Sequence, residues 1–145
     1  MSTESSPAPA PARRVVLVDS RDNRRELMRL VVSGNDEKAV LVGEANTKEA
    51  ALAIVDREHA DAVLLDVQMP VPDGLETIAA LREQYPLLGI VVCSFDLDPA
   101  TIEQVISGGA DTCIAKPVNR TDVHTALAGL PQRDRSGELA ATQVL

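Results

Sequence analysis

The chain has 145 residues, 45% of them apolar, which suits one domain with a buried core. Its formal net charge of −8 argues against direct nucleic-acid binding, because duplex affinity depends on Lys and Arg. No apolar run approaches the ~20 residues of a membrane span, and the start lacks the apolar core of a signal peptide, so a cytoplasmic protein without a membrane partner is expected.

Residues 1–12 are rich in Pro, Ala and Ser and read as a disordered leader. Residues 13–20, RRVVLVDS, form an apolar run that closes on Asp19 and predicts a buried strand. Leu27, Leu30 and Val31 then recur at helical spacing. Residues 39–44, AVLVGE, predict a second strand, and Ala50, Ala51, Ile54 and Val55 a second helix. Ala62 to Leu65 is a short apolar run that stops at Asp66. Behind it, Met69-Pro70, Pro72 and Asp73-Gly74 predict a constrained loop. Leu75, Ile78 and Ala79 mark the third helix, and GIVVCS, residues 89–94, is a strand ending in Ser94. Ile102, Val105 and Ile106 mark the fourth helix. DTCIAKP, residues 111–117, is a strand running into Lys116-Pro117, and Val123, Ala126, Leu127 and Leu130 mark the last helix. Residues 131–145 read as a polar tail, too short for an output domain with its own core.

Strands alternating with helices predict an α/β domain over residues 13–130, its parallel sheet covered on both faces. Asp66 alone has a plain reading as the cap of the following helix. A carboxylate at the carboxyl end of a buried strand also sits where open α/β sheets place their chemistry. Asp19, Asp66, Ser94 and Lys116 all fall at strand ends on one rim, which favours a site over four unrelated caps.

The pattern Asp-x-x-Met-Pro-x-x-Asp-Gly at 66–74, the acid after the first strand, Ser94 after the fourth and Lys116-Pro117 after the fifth together resemble the receiver domain of bacterial two-component response regulators. That resemblance implies a doubly wound, flavodoxin-like five-stranded parallel sheet of order 2-1-3-4-5. It implies Asp66 as the phosphoacceptor, taking a phosphoryl group from a histidine kinase or phosphotransfer protein. Lys116 would pair with the carboxylate and then with phosphoryl oxygens, and Ser94 would donate a hydrogen bond to one of them. The Lys116–Pro117 bond would be cis. Mg2+ would be held by Asp19, Asp66 and the backbone carbonyl of Gln68. A carboxylate attacking a phosphoryl group brings two anions together, and a cation and a fixed ammonium must offset them. The output side would be a separate protein or a domain beyond this chain, with a second copy of the chain as a further candidate partner. Arg25-Glu26 and Val42-Gly43-Glu44-Ala45 resemble receivers that precede helix-turn-helix domains of the LuxR type.

The chain departs from that family at three places. Ser20 stands where a second acid usually ligates the metal, so weak Mg2+ binding is expected; Ser20 also suits a helix N-cap, and Asp22 is a candidate substitute ligand. Phe95 follows Ser94 where a small residue is usual, read either as a barrier to the phosphoryl group or as packing against a neighbouring loop. Cys113 replaces the strand-five aromatic whose rotation signals activation, leaving Ser94 and Phe95 to carry any switch. Cys93 and Cys113 read as free thiols of a reducing compartment, and His59 and His124 as isolated surface or helix-face residues. A haloacid-dehalogenase-type phosphatase would need an acid at position 68, which is Gln68. A flavodoxin-like cofactor binder would need a phosphate loop where Asp19 stands, and a dinucleotide binder a Gly-rich turn. A degenerate receiver, acting as a phosphorylation-independent interaction module rather than an enzyme or a phosphoacceptor, is the remaining rival.

Overall fold

A computed structural model describes residues 13–19, 39–66, 71–95 and 97–130. Within them lie β1 (Arg13–Val18), β2 (Ala39–Ala45), α1 (Lys48–Glu58), β3 (Ala62–Asp66), α2 (Val71–Gln84), β4 (Gly89–Ser94), α3 (Pro99–Ser107), β5 (Thr112–Ala115) and α4 (Arg120–Ala128). All strand pairs are parallel, in the order β2-β1-β3-β4-β5. The helix expected around Leu27 to Val31, the leader and the tail lie outside the described residues.

The central strands are apolar up to their carboxyl ends because they are covered on both faces. Val16, Val18, Val63, Leu65, Ile90 and Val92 enter one cluster with Val55 of α1, Ile78 and Leu81 of α2 and Val105 of α3. The alternate residues Val15, Leu17, Ala62, Leu64, Val91 and Cys93 enter a second cluster with Val123 and Leu127 of α4. This two-residue alternation is the strand period itself. Each buried Val, Leu or Ile contributes about 1.5–3 kcal/mol of transfer free energy.

Polar caps stop and start the helices. The Thr47 hydroxyl accepts from the Ala50 N–H at 3.1 Å, the Asp98 carboxylate from Thr101 N–H at 2.8 Å, and the Asn119 side chain from Asp122 N–H at 2.8 Å. His59 closes α1 in the left-handed region, at φ 52°. Two glycines are demanded by geometry. A Cβ on Gly43 would lie 2.5 Å from Ile54 Cγ2, so α1 seats tightly on β2. Gly109 has φ +126° and leaves no room for a Cβ beside Arg82.

One local expectation is corrected. The predicted loop over 69–74 is already helix from Val71 onward, so Pro72, Asp73 and Gly74 belong to the first turn of α2. Proline is tolerated there because the first helical N–H groups have no intrahelical acceptor.

Candidate functional site

Strand register gathers the polar residues. Val18 is paired with Leu65, so Asp19 and Asp66 follow side by side at the carboxyl ends of β1 and β3. The sheet order turns at this pair of strands, the position where open α/β sheets form a ligand crevice. Asp66 is in register with Cys93, one residue before Ser94, and Ser94 is in register with Ala115, one residue before Lys116. The Asp19 N–H donates to the Ala45 carbonyl at 3.0 Å and the Lys116 N–H to the Ser94 carbonyl at 3.0 Å, which extends the ladder past the strands. The Lys116–Pro117 peptide is cis.

Asp19, Asp66 and Ser94 are buried, at 0%, 1% and 6% exposure, and the Lys116 side chain is 5% exposed. A buried ammonium requires a counter-charge. Lys116 Nζ forms an ion pair with Asp66 Oδ2. Asp66 Oδ1 is buried and accepts no hydrogen bond from the described residues. Among the described residues the rim gathers two buried carboxylates and one ammonium. This donor set suits a hard divalent cation such as magnesium, which is commonly held by one or two carboxylates plus phosphate and water oxygens. Among the described residues no group of three or more His, Cys, Asp or Glu is gathered, so such an ion would depend on those further oxygens.

Phe95 is 56% exposed, with its ring centroid 5.2 Å from Lys116 Nζ. It therefore lies over the ammonium, a contact that local spacing does not reveal because it joins the ends of β4 and β5. Cys113 is half-buried within β5 and packs against the first core cluster. Burial pushes the Cys93 thiol far above its ordinary pKa, with the Asp66 carboxylate adding to the shift, and burial raises Cys113 as well. Both cysteines are free. Ser20, Asp22 and Gln68 lie outside the described residues.

At the opposite rim is a cluster that local sequence patterns did not reveal. Arg82 donates to the carbonyls of Pro86 (2.9 Å), Leu88 (2.7 Å) and Gly109 (3.0 Å), and to Asp111 Oδ2 (2.9 Å). Asp111 Oδ2 also accepts the Ile90 N–H at 2.8 Å. These groups tie α2 to the starts of β4 and β5, away from the carboxylates.

A family model described as the response regulator receiver domain matches residues 15–128. The protein-glutamate methylesterase/protein-glutamine glutaminase 3 of Hahella chejuensis is 34% identical over 105 residues, covering 71% of this chain and 30% of that protein. The chemotaxis protein CheY of Halobacterium salinarum is 26% identical over 117 residues, covering 81% of this chain and 95% of that protein. The solved signal receiver domain of the putative response regulator NarL from Mycobacterium tuberculosis is similar at a TM-score of 0.70 and 32% identity, covering 82% of this chain and 95% of that one. The chain spans 30% of the length of the Hahella protein and 54% of that of a Bacillus subtilis transcriptional regulatory protein it also matches.

Proposed function

The chain belongs to the response regulator receiver family of two-component systems, and we propose that it acts there as a phosphoacceptor, with Asp66 as the acceptor residue. The observation that supports this most is the buried Asp66 carboxylate, paired with Lys116 at the strand-end rim and with Asp19 and Ser94 on the flanking strands. In the proposed transfer an Asp66 oxygen bonds to phosphorus while the phosphorus–nitrogen bond of a phosphohistidine breaks. The electron pair leaves with the imidazole, which takes up a proton. Lys116 stays within reach of the oxygens that gain charge, and Ser94 donates its hydroxyl hydrogen to a phosphoryl oxygen. A magnesium ion, when bound, supplies positive charge between the two anions. Asp19 and Asp66 are the side chains that would hold it, together with the Gln68 carbonyl.

The working unit on this reading is residues 13–130, flanked by the leader and the tail. Its donor is a histidine kinase or phosphotransfer protein. Its output is a separate protein or a domain outside this chain.

Intact mass after incubation with acetyl phosphate and magnesium tests the proposal. A gain of one phosphoryl group is expected in the natural chain and none in Asp66→Asn, with unchanged circular dichroism. Equal uptake by Asp66→Asn moves the site elsewhere. No uptake by the natural chain leaves the phosphorylation-independent interaction module as the reading.

A further inference from the structure

Lys116 Nζ is buried and forms an ion pair with Asp66 Oδ2. A lysine ammonium carries three N–H donors and normally keeps them hydrated or bonded. Besides the carboxylates of the rim, the Phe95 ring lies at the ammonium, its centroid 5.2 Å from Nζ. Phe95 is more than half exposed, and its ring is one wall beside the otherwise buried ammonium. The negative face of an aromatic ring attracts a cation at this separation, and more strongly when the cation is shielded from water.

We propose that Phe95 is a positioning residue for the acceptor site: its ring holds the Lys116 ammonium against Asp66 and screens it from water. The ring does not touch the phosphoryl group in this role; it acts through Lys116. A freely rotating, hydrated ammonium would spend less time at the carboxylate, and later at the phosphoryl oxygens. Water would also approach the acyl phosphate more readily. The second consequence rests on the phosphoacceptor reading; the first does not.

Three variants separate ring from bulk. Phe95→Tyr keeps an aromatic face, Phe95→Leu keeps apolar volume without one, and Phe95→Ala removes both. Reductive methylation with formaldehyde, followed by peptide mass analysis, reads the accessibility of Lys116 without any phosphoryl chemistry. Lys48, whose side chain is 30% exposed against 5% for Lys116, serves as the internal reference. Lys116 should be modified roughly 3- to 10-fold faster in Phe95→Ala than in the natural chain, the range set by an ordinary cation–ring attraction. Phe95→Tyr should restore the natural rate, and Phe95→Leu should fall between. Equal rates in the natural chain and Phe95→Ala overturn the proposal, and so does Phe95→Leu matching Phe95→Tyr, since bulk would then suffice. The same series, loaded from acetyl phosphate, should lose its phosphoryl group faster in the order Ala, Leu, Tyr. If the natural chain takes up no phosphoryl group while the methylation order holds, the phosphoacceptor reading fails and the positioning role of Phe95 stands.

Discussion

Lys116 and Asp66 form a buried ion pair at the rim, with the Lys116 side chain 5% exposed. Removing one member of a buried ion pair strands the other, and that usually costs more than the pair is worth. Lys116→Ala should therefore destabilise the domain by about 2–4 kcal/mol. The double variant with Asp66→Ala should recover a substantial part of that loss, and urea unfolding of the four proteins in the cycle would show it. Strict additivity would mean the two groups do not support each other. The cysteines differ for a related reason. Cys93 is buried next to Asp66, and both burial and that anion oppose its ionisation; Cys113 is half-buried and is raised by burial alone. Since the thiolate is the reactive form, near pH 8 iodoacetamide should label Cys113 slowly and Cys93 only on unfolding. Peptide mass analysis of native and denatured samples distinguishes the two, and early labelling of Cys93 would contradict its placement.

At the scale of elements, α3 offers a test of capping. Hydrogen bonding from Thr101 to the Asp98 carboxylate holds that group below its usual pKa. A carboxyl whose folded value lies below the unfolded one stabilises the fold fully above the unfolded value of about 3.9, and that contribution is lost as pH falls through the folded value. The first turn of α3 should fray on going from about pH 6 to about pH 3, seen as a loss of helical Cα chemical shifts at 100–103. Asp98→Asn should keep the cap but flatten this pH response, because Asn caps about as well. Strand ends were legible from sequence alone: each apolar run is short, and Asp19, Asp66, Ser94 and Lys116 stop it abruptly. The first turn of α2 was not, because prolines at 70 and 72 and glycine at 74 carry the same signal in a loop as in a helix start. Nor was the Arg82 cluster, whose acid partner lies 29 residues away, on the turn into another strand. Such a contact has no local periodicity to announce it. Arg82→Ala leaves Asp111 without its cation and three carbonyls without their donor, and should destabilise by about 2–3 kcal/mol in chemical denaturation. A change within about 0.5 kcal/mol, as for ordinary surface positions, would show the cluster to be dispensable.

Over the whole molecule, the described residues place Asp19, Asp66 and Lys116 at the turning point of the strand order and an arginine-centred clasp at the other rim. On the proposed reading the first of these ends takes the cation, while the clasp pairs its arginine with Asp111 and three carbonyls. A ligand that binds the folded form alone stabilises it by mass action, by about 1.4 kcal/mol at ten times its Kd. For a domain of this size that is a rise in Tm on the order of 5 °C. Magnesium should produce such a rise in the natural chain at concentrations well above those needed by sites with two adjacent acids after the first strand, because Ser20 supplies no charge to the ion. A carboxylate placed about 4 Å from the ion interacts with each unit of its charge by roughly 4 kcal/mol at an effective dielectric of 20, most of it offset by the water it displaces. A net gain of about 1–2 kcal/mol corresponds to roughly ten-fold tighter binding in Ser20→Asp. Asp66→Asn, with one of the two described acids gone, should lose the magnesium-dependent rise while keeping a folded baseline. Thermal scans against magnesium for the three proteins decide the matter: the expected order of sensitivity is Ser20→Asp, the natural chain, then Asp66→Asn. A natural chain that responds no more than Asp66→Asn would show that the paired carboxylates do not hold the ion.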